Sequence, residues 1–128
     1  MALHGNIYGL TDLNKEIERF PPDPESAARH RAETLIKTDT LRVVLVTMLS
    51  GATLREHAAP GPFTVQVLRG AVRLTVDDDP RELQEGQLIS VAPDTDYAVE
   101  GVEDGAFLLT IAHLSRTPDP GGSGGGAV

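Results

Sequence analysis

The chain has 128 residues, with 19 acidic against 11 basic side chains for a formal net charge of −8, and it contains no cysteine. That length fits one domain able to bury a single core without staples; the scattered basic residues leave no electrostatic footprint for nucleic acid, and the lack of cysteine excludes thiol catalysis, disulfides and cysteine-based zinc or iron-sulfur sites. No apolar run approaches the roughly 20 residues a membrane span needs, and MALHGNIYGL lacks a basic start followed by a long apolar segment, so the expected location is the cytoplasm, with neither nucleic acid nor membrane as a partner.

Along YGLTDLNKEIERF, Leu13, Ile17 and Phe20 recur at helical spacing, and Thr11 or Asp12 is placed to cap the first turn. FPPDPES breaks this helix, because proline lacks the amide hydrogen and restrains the residue before it. Asp23-Pro24 is positioned to restart one helical turn through Ala27, Ala28 and His30. From about residue 31 the pattern changes to strands: RAETLIK, a polar corner at Thr38-Asp39 and LRVVLVTMLS predict a hairpin whose second strand is apolar on both faces. TLREH, FTVQVLR, AVRLTV, REL, QLISV, YAVE and AFLLTIAHL then predict short strands, each bounded by Gly, Pro or Asp. A tight turn is expected at Arg69-Gly70. Asp77-Asp78-Asp79-Pro80 predicts a solvated hairpin turn, since adjacent carboxylates point in different directions and lack the spacing of a calcium-binding loop. Many short strands at close spacing predict an all-β barrel or sandwich, and TPDPGGSGGGAV, without apolar periodicity, predicts a flexible tail. The expected organisation is an N-terminal extension over 1–30, a β-barrel domain over 31–115 and a tail over 116–128.

Candidate chemistry concentrates in GATLREHAAPGPFTVQVLRG, residues 51–70. Side chains alternate across a strand, so Thr53, Arg55, His57 and Ala59 are expected on one face and Leu54, Glu56 and Ala58 on the other, which separates Glu56 from His57. Beyond the Pro60-Gly61-Pro62 elbow, Phe63, Val65 and Val67 share a face with Gln66 opposite. His113 alternates with Phe107, Leu109 and Ile111 and either joins an inward face or ends its strand at the surface. No nucleophile elbow, phosphate-binding loop or dinucleotide fingerprint occurs.

The stretch resembles the first motif of the cupins, a family of small two-sheet β-barrels, in which a glycine is followed at fixed intervals by two histidines, a glutamate and a second glycine. Gly51, His57, Ala59, Phe63 and Gly70 stand at those intervals, and VLRG is similar to the motif's ending. GQLISVAPDTDY resembles the second motif, with Gly86 at its first glycine, Ala92 at its proline, Asp94 at its second glycine and Tyr97 at its histidine. The resemblance implies an antiparallel cupin-like barrel, a double-stranded β-helix or jelly roll, with a short helical N-terminal extension. It also implies a homodimer, for which the two-faced strand LRVVLVTML offers a surface that a partner could cover. Of the family's four metal-ligand positions only His57 keeps its residue type, since Ala59 and Phe63 have no ligating atom and a phenol such as Tyr97 is a reluctant ligand. The expectation is therefore no metal and no other cofactor, and a small, partly apolar molecule bound by His57, Phe63, Val65 and Tyr97 in a binding or sensing module. The alternative is a metal-dependent cupin enzyme of dioxygenase or isomerase type, using His57 with unusual help from Tyr97, His113 or Gln66. A third class, an assembly protein acting only through its dimer surface, stands beside these two because fold alone does not choose among them.

Overall fold

A computed structural model describes residues 5–56 and 59–113. Asp12 is extended and its carboxylate accepts the Lys15 amide at 3.2 Å, which satisfies one of the open amides that begin α1, Leu13–Arg19. The helix stops at Phe20, the residue that Pro21 keeps out of helical conformation. The helical turn expected from Asp23 through His30 does not form. Instead, the Asp23 carboxylate accepts the Glu25 amide at 2.9 Å and its carbonyl accepts the Ser26 amide at 3.0 Å, a local turn that competes with helix. Arg29, at φ 57°, then redirects the chain into β1, which begins at His30.

β1 (His30–Lys37) and β2 (Leu41–Met48) form the expected antiparallel hairpin. Its corner is held by the Thr38 hydroxyl, which accepts the Thr40 and Leu41 amides at 3.2 and 3.0 Å. β3 (Thr53–Glu56) precedes the proline elbow. Beyond it lie β4 (Phe63–Val76), β5 (Asp79–Gln84), β6 (Leu88–Val91) and β7 (Tyr97–Ala112). The β4–β5 hairpin closes through Asp77 and Asp78, both at positive φ, with Val76 opposite Asp79, as a two-residue turn of the kind that suits strand twist.

Two corrections concern strand continuity. The tight turn expected at Arg69-Gly70 is a bulge inside one continuous strand, and the two strands read as YAVE and AFLLTIAHL are one continuous β7. A glycine-type bulge and a two-residue hairpin turn both call for a residue at positive φ, and Gly70 at φ 72° meets either demand. The bulge has a geometric purpose. Phe63, Val65 and Val67 are buried before it and Val72 and Leu74 after it, so the inward phase changes once and both halves of β4 keep their apolar side chains inside.

The two long strands run antiparallel along their whole length, and each belongs to two sheet halves. One half contains β1, β2, the end of β7, the start of β4 and β6; the other contains β3, the start of β7, the end of β4 and β5. Val44, Val46 and Met48 of β2, Leu74 and Leu83 from the opposite half, and Phe107 of β7 join one buried cluster, so the two inner faces meet. This is an all-β antiparallel barrel of the double-stranded β-helix type. Leu45 and Thr47, on the other face of β2, are 1% and 3% exposed within the single chain. The Thr47 hydroxyl donates to the Phe20 carbonyl at 2.7 Å, and Arg69 donates to the Asn14 side chain, so the N-terminal segment crosses this face. Cover by a partner chain is thus not what buries the second face of β2. No helix among the described residues is long and apolar enough to cross a membrane.

Candidate functional site

Phe63 opens β4 and Tyr97 opens β7, but they lie at opposite ends of the β4–β7 ladder: Phe63 pairs with Ile111, and Tyr97 with Val76. They touch only because the two sheet halves fold face to face. Their ring centroids are 4.4 Å apart with the planes tilted by 37°, and the residues are 2% and 5% exposed. Ala59, at the position of the second motif histidine, is also buried. Val65 is fully buried in the core beside its cross-strand partner Leu109. His57 lies outside the described residues.

A cavity of about 160 Å³ opens beside this pair, with Tyr97 in its wall. Val44 and Val46 of β2, Leu54 of β3, and Leu109 and Ile111 of β7 supply most of its apolar surface, and Ala59 and Pro60 close it on the elbow side. Two charged residues also line it, Arg42 of β2 and Glu56 of β3. Glu56 was expected to face away from the site. Leu54 and Glu56 nevertheless line the cavity, together with the buried Ala59. Neither Arg42 nor Glu56 belongs to either motif, and the hydrophobic pattern gave no reason to join residues from separate strands; the alternation of Arg42 with the inward Val44 and Val46 is the one signal that placed either of them on the inner face.

Electrostatics focus on Tyr97. Burial pushes its phenol up to about 12; the Glu56 carboxylate adds to the rise and the Arg42 guanidinium opposes it. The hydroxyl therefore stays protonated through the physiological range and is available as a hydrogen-bond donor. The Arg42 guanidinium reaches the Thr34 hydroxyl of β1 at 3.5 Å. Among the described residues, the ion pairs join Arg19 to Glu16, Arg69 to Glu85, Arg73 to Glu100 and Arg81 to Asp79, and Arg42 enters none of them.

The described residues do not fit the divalent metal that such a barrel usually implies. The methyl group of Ala59 and the ring of Phe63 offer no donor atom, and Phe63 packs against the Tyr97 ring. Among the described residues no group of three or more His, Asp or Glu side chains is placed to hold a metal ion. Gln66 is exposed on the outer face between Leu88 and Leu108. His113 follows the end of β7, half-buried, with its backbone amide donating to the Thr40 carbonyl at 2.8 Å, and it is not part of the cavity wall.

No family model matches the sequence, and no curated protein matches it. Solved structures do. A conserved protein of unknown function from Streptococcus pyogenes is 23% identical, superposes with a TM-score of 0.70 and covers 91% of this chain and 98% of its own. An RmlC-like cupin from Desulfovibrio desulfuricans is 22% identical with a TM-score of 0.61, covering 88% and 96% of the two chains. A cupin superfamily protein from Desulfitobacterium hafniense is 19% identical with a TM-score of 0.63, covering 66% and 78%. At these identities the likeness establishes the architecture, and the architecture is that of a cupin.

Proposed function

We propose that this cupin-fold chain is a binding or sensing protein that holds a small, partly apolar molecule in the barrel without an intact family metal site. The observation that carries the reading is the Phe63–Tyr97 ring pair, which stands at two positions where motif spacing would put ligands, with Tyr97 in the wall of a mostly apolar cavity. A divalent cation brought there would lose its water and meet an aromatic ring and a methyl group, with little to offset desolvation. An apolar ligand body meets the opposite balance, since it leaves water for a wall of valine, leucine and isoleucine. The pocket in this reading comprises His57, Phe63, Val65 and Tyr97, extended by the cavity wall. The protein would act in the cytoplasm as a homodimer, a state favoured by the large apolar side chains Ile7, Tyr8 and Leu10, which are 49%, 81% and 76% exposed.

Elemental analysis of protein purified without chelator, together with thermal melts in iron, manganese, nickel and zinc, tests the reading directly. The expected result is substoichiometric metal and no metal-dependent rise in Tm. A screen of small metabolites is expected to yield compounds that raise Tm in the native protein and lose that effect in Tyr97→Phe or His57→Ala. Stoichiometric metal that disappears in His57→Ala would overturn the proposal in favour of a metal-dependent enzyme.

A further inference from the structure

We propose that Arg42 anchors the carboxylate of a small aliphatic acid whose apolar body fills the barrel cavity. The inference rests on the binding reading above and names the chemical class of the ligand. Among the described residues, Arg42 is the one cation lining this cavity and no carboxylate forms an ion pair with it. A guanidinium is planar and presents parallel N–H donors that match the two oxygens of a carboxylate. The Thr34 hydroxyl on the neighbouring strand holds one guanidinium nitrogen at 3.5 Å and leaves other donors available. Tyr97, in the wall of the same cavity, adds a second donor that stays protonated near neutral pH.

Size and shape agree. A cavity of about 160 Å³ is close to the roughly 150 Å³ known to admit a benzene-sized molecule. Val44, Val46, Leu54, Leu109 and Ile111 would surround a branched body of five or six carbons. Arg42 pairs across the ladder with Ile111 in one sheet half, whereas Glu56 pairs with Tyr97 in the other. Both charges lie close enough to act on the Tyr97 phenol, the Glu56 carboxylate raising it and the Arg42 guanidinium opposing that rise. Glu56 acts as a counterweight, since its charge repels a bound acid and disfavours small dianions.

Isothermal titration calorimetry with 4-methylpentanoate and its uncharged counterpart 4-methylpentan-1-ol separates the anchor from the cavity. The acid is expected to bind at least about tenfold more tightly than the alcohol at neutral pH and low salt. Arg42→Gln is expected to remove that preference by weakening acid binding far more than alcohol binding, and Arg42→Lys to retain part of it. Glu56→Gln is expected to tighten acid binding severalfold. Circular dichroism melts of each variant establish that the barrel is intact. Equal binding of acid and alcohol, or acid binding that survives Arg42→Gln, would overturn the anchor and leave the cavity reading standing. Failure of both probes to bind native protein would overturn the anchor as well, and the metal analysis above then decides separately whether the binding reading survives.

Discussion

Tyr97 is held between burial, the Glu56 carboxylate and the Arg42 guanidinium, and the first two outweigh the third, with the phenol pushed up to about 12. The sign of the resulting pH dependence follows from linkage. A phenol whose folded-state value lies above its ordinary one near 10 adds stability that is fully present below about pH 10 and is lost as pH rises through about 12. Urea unfolding at a series of alkaline pH values is expected to show this decline in native protein and a flatter profile in Tyr97→Phe. Parallel declines in the two proteins would mean that Tyr97 is not the group responsible. At this scale the motif spacing already pointed to Phe63 and Tyr97 as neighbours, because fixed intervals in the chain translate into fixed ladder positions once the barrel is assumed. It did not point to the pairing of their roles with Arg42 and Glu56. Those depend on which side of each strand faces in and on which distant strands meet, and alternation within one strand does not report the second.

Among the elements, β4 shows how a glycine can be read in two ways. Gly70 lies against the Asp104 carbonyl and the Gly105 backbone of β7, and a Cβ added there would collide with main chain rather than with a flexible side chain. Gly86, in the turn between β5 and β6, has a similar positive φ of 88° but open space around it. Gly86→Ala is therefore expected to cost about 1 kcal/mol from backbone strain alone, and Gly70→Ala about 3 kcal/mol because strain and displacement of β7 combine. Denaturant midpoints of the two variants check the ordering; equal costs would show that the bulge yields without disturbing β7. The same local signal accompanies a two-residue hairpin turn and a glycine-type bulge, since both need left-handed backbone. Only the continued pairing of β4 with β7 on both sides of residue 70 distinguishes them. The hairpin corners at Thr38 and Asp77-Asp78 were legible from sequence because their hydrogen bonds and dihedrals are satisfied within a few residues.

For the whole molecule, the N-terminal segment covers the outer face of β2, while Ile7, Tyr8 and Leu10 of the same segment remain exposed. Sedimentation is expected to find a homodimer at micromolar concentration, and Tyr8→Asp combined with Leu10→Asp to give a folded monomer. A native monomer, or a dimer indifferent to both substitutions, would remove this surface from the assembly. The chain by itself determined the β-rich class, a helix cap at Thr11 or Asp12, most strand positions and the departures from the family metal pattern. Each of those depends on side-chain type or on contacts within a short span. Tertiary structure alone decided that β4 and β7 are unbroken, that the second face of β2 is covered by the chain's own N-terminal segment, and that Arg42 and Glu56 line one cavity. These outcomes depend on residues far apart in the chain, and local periodicity carries no information about which distant faces meet when the two sheet halves close.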